Sequence, residues 1–414
     1  MYPDGCIRAN LEPAAQISRL NLYPDGCTQS LSRQQWYPDG YIGHLMASSN
    51  AGARPHSQVY TWEPSDEAIA ARYGLRPEDI LRFDTNTSPS PPAWLPDALR
   101  GPFDPTINEY PDSSYAQLTA AASAYTGVES DEVIVGAGAD EVIDLVAKAF
   151  LPAGSAALVP IPTYAMYGVL TSQRAARIVS VPRLGPENGF RLDIPAALAK
   201  LPEVRVVWLC SPNNPTGLPD IAEDLETVVN AAAAQSDPPL VVVDEAYFEF
   251  HGASVVEWRT RFPNLLAIRT VSKAFALAGA RVGYGVGGRS VIERLERVRP
   301  PGSISTLSAR VATIALRQPD YAAANAEALS NEREWLAAEL QERGWQCHPS
   351  VCNFLLVRIG DHDAAEHAAD GLLRAGIVPR TFGPANPLRG HLRLTVRSRD
   401  ENRRLIEVVE QLVT

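Results

Sequence analysis

The stretch Val204-Arg-Val-Val-Trp-Leu-Cys-Ser-Pro-Asn-Asn-Pro-Thr-Gly217 sets the pattern for most of the chain. An apolar run ends abruptly on a polar loop rich in proline and closed by glycine. The same grammar recurs at Glu132–Val135, Ala156–Val159, Ile178–Val181, Leu240–Val243 and Leu265–Ile268. Helical stretches such as Glu141–Phe150 and Ala222–Ala234 separate several of these runs. Runs that are apolar at successive positions describe strands buried on both faces. The expected fold class is therefore α/β, a large and mostly parallel sheet sandwiched by helices.

Working outward, Ser65 to Tyr73 reads as a helix and Ile80-Leu-Arg-Phe83 as a short strand, followed by extended Ser88-Pro-Ser-Pro-Pro92. Ser113 to Tyr125 has helical spacing. After Pro319 the texture changes: a long helix (Tyr321–Arg343), a strand (Phe354–Ile359), a helix (Ala364–Ala375), strands near Ile377–Arg380 and His391–Val396, and a last helix. Ser398 and Glu401 frame that helix as a capping box. This predicts a large domain over 111–318 and a small α+β domain over 319–414.

The chain has 414 residues, 45% of them hydrophobic and 21% charged, enough for a sizeable core. Lys+Arg 37 against Asp+Glu 48 gives a net charge of -11, which argues against nucleic acid or an anionic membrane as partner. Five scattered cysteines (Cys6, Cys27, Cys210, Cys347, Cys352) make no disulfide framework and suit a reducing compartment. No apolar run is long enough to span a membrane, and Met1-Tyr-Pro-Asp-Gly5 does not open a secretory signal. The expected location is cytoplasmic.

Residues 1–50 read differently. Tyr2-Pro-Asp-Gly5, Tyr23-Pro-Asp-Gly26 and Tyr37-Pro-Asp-Gly40 recur at irregular spacing, and turn chemistry fills each unit. The reading is an arm without a packed core, either a tail or upstream sequence with Met46 as a second candidate start; the functional alternative is a segment folding over an active site.

Ligands of open α/β sheets sit beyond the carboxyl ends of the strands, and four such ends carry chemistry. Gly136-Ala-Gly-Ala-Asp-Glu141 opens a helix whose N-terminus suits a phosphate. Ser211-Pro-Asn-Asn-Pro-Thr-Gly217 is more particular than a turn requires. Asp244-Glu-Ala-Tyr247 places a carboxylate at a buried strand end, where it needs a cationic partner. Arg269-Thr-Val-Ser-Lys273, with Arg281 eight residues later, supplies a lysine for imine chemistry. Each has a bland explanation alone. Together they meet the four needs of pyridoxal phosphate: a phosphate cradle, a carboxylate for the ring nitrogen, an amine for the aldehyde and an arginine for the phosphate.

These motifs resemble the class I/II aminotransferases, most closely the histidinol-phosphate aminotransferase branch, from about Val59 to the C-terminus. The resemblance implies a fold-type I pyridoxal-phosphate enzyme and a homodimer, with 59–110 contributing to the small domain and to dimer contacts. It implies that Lys273 carries the cofactor as a Schiff base and acts as general base and acid, that Asp244 partners the pyridinium, and that Tyr247 and Asn214 donate to the ring hydroxyl oxygen. Tyr164 would stack on the ring. The Ala139 and Asp140 backbone N–H groups, Ser272 and Arg281 would hold the phosphate, joined by Tyr110 of the partner subunit. Arg393 and Arg380 resemble substrate-anion arginines, and Asn86 belongs to the substrate side. There the branch's Asn-Glu-Asn-Pro is replaced by Asn86-Thr-Ser-Pro89. The activity implied is amino-group transfer between an amine or amino acid, with or without a phosphate group, and a 2-oxo acid. The alternatives are a decarboxylase of the threonine-phosphate type and an aromatic or specialised-metabolism aminotransferase.

Two other patterns carry less. Gly283-Tyr-Gly-Val-Gly-Gly288 matches a dinucleotide fingerprint, but no acid-ended second strand follows. Cys347, Cys352, His362 and His367 imitate zinc-finger spacing with too short a central loop; no metal is expected. A regulator carrying such a domain would need a basic helix-turn-helix, which the arm lacks.

Overall fold

The computed structural model describes residues 64–413; the Tyr-Pro-Asp-Gly arm lies outside the described residues. Among the described residues there are twelve strands: β1 (Leu81–Arg82), β2 (Val133–Gly136), β3 (Ala156–Ile161), β4 (Arg177–Pro182), β5 (Val206–Cys210), β6 (Leu240–Asp244), β7 (Leu265–Thr270), β8 (Gly283–Gly287), β9 (Gln346–Cys347), β10 (Phe354–Arg358), β11 (Ile377–Val378) and β12 (His391–Thr395). Seven of them form one sheet in the order β2-β8-β7-β6-β5-β3-β4. Only β8 runs against the rest.

The unbroken apolar runs explain this sheet. Successive strand residues point to opposite faces, so Val207, Leu209, Val241 and Val243 enter one core. Val206, Trp208, Leu240 and Val242 enter another on the far side. Both faces are therefore dry, and parallel neighbours with helical crossovers follow.

A second sheet, β12-β10-β9, is antiparallel, and β1 pairs with β11 in parallel. Phe83, just after β1, is fully buried among Leu336, Leu355, Leu394 and Leu405. Its carbonyl accepts from Thr395 N–H at 2.7 Å, tying the N-terminal segment to β12. The last helix, Arg399–Val413, starts on both halves of the foreseen capping box: Ser398 N–H donates to Glu401 Oε2 at 3.1 Å and Glu401 N–H to Ser398 Oγ at 3.4 Å.

Several boundaries differ from the sequence reading. The strand expected over Ile377–Arg380 stops at Val378, because Pro379 has no N–H to continue the ladder. The helix expected from Glu141 begins at Ala139. A helix over Thr306–Leu316, capped by Ser305, was not foreseen. Nor was β8, the glycine run that resembles a dinucleotide fingerprint. Its glycines serve packing: a Cβ at Gly283 would lie 2.3 Å from Ala139 N, and one at Gly285 3.1 Å from Ile134 and Val142 side-chain carbons. Helix Ala139–Phe150 can press onto the sheet only because those side chains are missing.

Among the described residues, no helix is long and apolar enough to cross a membrane, and no group of three histidine, cysteine or acidic residues is placed to hold a metal. The packing at Gly283 makes a prediction. Gly283→Ala forces Ala139 and the start of its helix to shift, and should destabilise the protein by about 1–3 kcal/mol, the usual cost of overpacking. Denaturant unfolding measures this, and wild-type stability in the variant would rule out the close approach.

Candidate active site

The carboxyl ends of β2, β5, β6 and β7 open onto a cavity of about 320 Å³. Ala139, Asp140, Tyr164, Asn214, Asp244, Tyr247, Ser272, Lys273 and Arg281 line it, with Asn86, Arg380 and Arg393 on the side of the smaller sheet. Of the residues singled out in the sequence only Tyr110 lies elsewhere, 92% exposed.

The Gly136-Ala-Gly138 turn is held by Glu141, whose Oε2 accepts from Ala137 N–H at 2.5 Å and from Ser303 Oγ at 2.8 Å. Gly138 has φ +85, and a Cβ there would sit 2.6 Å from Arg281 Nη2. Glycine is thus required both by the backbone and by the arginine that crosses it. Arg281 itself has φ 51, a left-handed conformation uncommon outside glycine and one that costs free energy. Its guanidinium meets the Asp140 carboxylate at 3.1 Å, and Tyr164 OH donates to the same carboxylate at 2.9 Å. The sequence reading used only the backbone of Asp140; its side chain joins two other cavity residues.

Asp244 ends β6 and is buried. Its Oδ2 accepts from Tyr167 OH at 2.6 Å and its Oδ1 from Ala246 N–H at 3.0 Å. Burial pushes the carboxyl up to about 6, while those two hydrogen bonds oppose the rise. Tyr247 OH accepts from Asn86 Nδ2 at 2.9 Å, and burial holds its phenol well above the ordinary value.

Lys273 Nζ donates to the Asn86 carbonyl at 3.1 Å. Burial, then the Arg393 charge, lowers this amine to about 8. That carbonyl is fixed from outside: Asn353 Nδ2 donates to it at 3.0 Å, and Asn86 N–H donates to Thr395 Oγ1 at 2.9 Å. Asn86 has φ 53, so this clamp maintains an uncommon backbone conformation.

Arg380 and Arg393 are opposed in an antiparallel bridge, with Arg380 N–H donating to Arg393 O at 3.0 Å and the reverse bond at 2.9 Å. Residues opposed in this way send their side chains to one face, and both line the cavity. Arg393 Nη1 donates to Asn214 Oδ1 at 2.7 Å and Nη2 to the Asp84 carbonyl. Asn214 thus spends its acceptor on Arg393, leaving the N–H end of the amide as its donor.

Sequence reasoning missed Tyr167, Glu141, Thr270, Asn353 and Thr395. Only Glu141 had a signal, an acid in the first turn of a helix. Tyr167, Asn353 and Thr395 act through contacts between distant parts of the chain. Thr270 acts locally: its Oγ1 accepts from Ser272 N–H at 3.1 Å and fixes the turn before Lys273.

A buried carboxylate, a lysine of lowered basicity, a helix N-terminus crossed by an arginine, and two arginines facing them fit an aldehyde-bearing, phosphorylated pyridine. Fold and site together define a fold-type I enzyme dependent on pyridoxal phosphate. A profile of the family "Aminotransferase class I and II" matches residues 79–409, and the chain belongs to that family. It is 35% identical over 355 residues to a histidinol-phosphate aminotransferase of Methanothermobacter thermautotrophicus, covering 84% of this chain and 93% of that one. To a chloroplastic histidinol-phosphate aminotransferase of Arabidopsis thaliana it is 33% identical over 364 residues, covering 86% and 85%. The crystal structure of histidinol-phosphate aminotransferase from Sinorhizobium meliloti, in complex with pyridoxal-5'-phosphate, superposes with a TM-score of 0.77 at 26% identity, covering 88% of this chain and 99% of that one.

The electrostatics of Lys273 can be measured directly. In cofactor-free protein, pH-dependent labelling of Lys273, followed by mass spectrometry, should show a midpoint of about 8. Arg393→Gln removes a positive neighbour that disfavours the ammonium, so the midpoint should rise toward the ordinary lysine value. An unmoved midpoint would show that burial alone sets it.

Proposed function

We propose that this aminotransferase takes a phosphorylated amine of the histidinol-phosphate kind as amino donor and a 2-oxo acid as acceptor. The observation that carries this reading is the Arg380–Arg393 bridge, which aims two guanidinium groups at one cavity. Two forked cations exceed the need of one carboxylate and suit a phosphate dianion. The names of the curated relatives point the same way. Thr87, which replaces the glutamate of that branch, lines the same cavity and lies 3.0 Å from Thr85, hydroxyl to hydroxyl. It is where the donor's shape would be read differently.

Bound pyridoxal phosphate supplies an aldehyde and an electron-accepting ring. The chain's own residues do the rest. Lys273 would hold the aldehyde. Its amine, poised near neutrality, would be the base for the proton on the donor's Cα and the acid that protonates the acceptor carbon. The Asn86 carbonyl orients that amine. Asp244, as an anion, would keep the ring nitrogen protonated. Asn214 and Tyr247 would donate to the ring hydroxyl oxygen, and Tyr164 would cover the ring. Ser272, Arg281 and the Ala139 and Asp140 N–H groups would hold the phosphate.

The reading includes a homodimer in which Tyr110 of each protomer reaches the other's phosphate. Tyr110, Ile107 and Leu99 are 92%, 64% and 45% exposed, a concentration of large side chains in one short segment that suits an interface.

Two substitutions test the proposal. Lys273→Ala should abolish turnover and the visible absorption of the lysine-bound cofactor. Arg380→Ala should raise KM for histidinol phosphate at least about tenfold, given roughly 1.5–3 kcal/mol for a charged hydrogen bond, and barely affect phenylalanine. Turnover of phenylalanine alone, indifferent to Arg380, would place the protein among aromatic aminotransferases; CO₂ release from threonine phosphate without oxo-acid formation would make it a decarboxylase.

A further inference from the structure

We infer that Tyr167 is a positioning residue, whose hydroxyl keeps Asp244 ionised and turned toward the place of the cofactor's ring nitrogen. The inference rests on the aminotransferase reading of the cavity.

Tyr167 lies in the helix Met166–Gln173 and is fully buried, without reaching the cavity itself. Its phenol is held on two sides. Trp208 stacks on it with centroids 5.4 Å apart and planes 9° from parallel. Tyr164 meets it edge-on at 5.7 Å and 85°. Trp208 is in turn tied to Thr171 Oγ1 through Nε1 at 3.3 Å. The ring therefore has one direction in which to present its hydroxyl, and in that direction, at 2.6 Å, stands Asp244 Oδ2.

A carboxylate this deeply buried prefers to be neutral, and the groups around it divide. Asp140 and Glu245 carry like charge and discourage its ionisation. Lys273 interacts with it as an opposite charge, Cys210 is a neighbouring buried thiol, and Ala246 N–H holds Oδ1. Among the described residues, Tyr167 is the one side chain that donates a hydrogen bond to Asp244. Without that donor the acid retains its proton to higher pH, and a neutral acid cannot stabilise a protonated ring nitrogen.

Tyr167→Phe keeps the stacked ring and removes the hydroxyl alone. A carboxyl whose folded pKa is raised stabilises the fold at low pH, and that contribution disappears as pH climbs from the ordinary carboxylate range to the folded value. In cofactor-free wild type this loss ends near about 6. In the variant it should continue between pH 6 and 8, read as a thermal midpoint that falls further than wild type's. A 3-fluorotyrosine at 167, a more acidic donor in the same ring, should move the limit the other way. In holoenzyme, Tyr167→Phe should weaken cofactor binding roughly ten- to a hundredfold and lower kcat, with KM for the donor unchanged. Added to Asp244→Asn, it should cost less than about threefold, because the two act as one unit. Wild-type cofactor affinity and pH response in Tyr167→Phe, or an equal loss in the Asp244→Asn background, would overturn the inference. If Asp244→Asn alone leaves kcat unchanged, the reading of Asp244 fails instead, whatever Tyr167 does.

Discussion

The constraint on which the site depends is the Asp244 carboxylate, an anion at the tip of a strand whose five residues are all buried. Most of the site follows from making that charge tolerable. The apolar strands that bury it also form the sheet, so it cannot be moved outward without dismantling the core. What can be arranged is the company it keeps: a phenol and a backbone N–H on its two oxygens, and a lysine on the next strand end. Lys273 lives under the mirror-image constraint. Burial makes its positive form expensive, and two arginines nearby make it more so. One interior thus holds an acid shifted upward and an amine shifted downward, the condition under which proton transfer near neutrality becomes cheap.

Much of this was legible from one dimension because strand ends are. The runs before Ser211, Asp244 and Arg269 are apolar at every position, which specifies a doubly covered sheet. In such a sheet the first polar residues after each run fall on one edge. Lys273, Asp244, Asn214 and Arg281 could therefore be placed together without coordinates. What stayed hidden has a common physical character. β8 is rich in glycine, and glycine is a poor strand former; its selection there comes from the helix pressing on it, a tertiary demand with no local signature. Tyr167 looks like any apolar-face aromatic of a short helix, because its hydroxyl finds a partner 77 residues away. Asn353 and Thr395 likewise act on the backbone of Asn86, one at its carbonyl and the other at its N–H, and no side-chain pattern reports which backbone group needs holding.

The smaller sheet is more than an appendage to the larger. Asn86 touches Tyr247 with its side chain and Lys273 with its carbonyl, while Thr395 and Asn353 grip its backbone. Arg393 reaches across to Asn214. Four residues from separate parts of the chain meet at Asn86, whose backbone is in an uncommon conformation. Any relative movement of the two sheets would be felt first at the Lys273 amine.

The clamp on Asn86 also has a temporal meaning. The bond from Asn86 to Thr395 spans 309 residues, and that from Lys273 to the Asn86 carbonyl spans 187. During synthesis the lysine, the aspartate and the Gly136-Ala-Gly138 turn all leave the ribosome well before β12. An emerging chain therefore carries Lys273 and Asp244 while lacking the strand that supplies Arg393 and holds Asn86. Burial, then the Arg393 charge, lowers the basicity of the Lys273 amine, and that lowering is complete only once β12 has docked, because the strand brings both the Arg393 charge and the hydroxyl that grips Asn86.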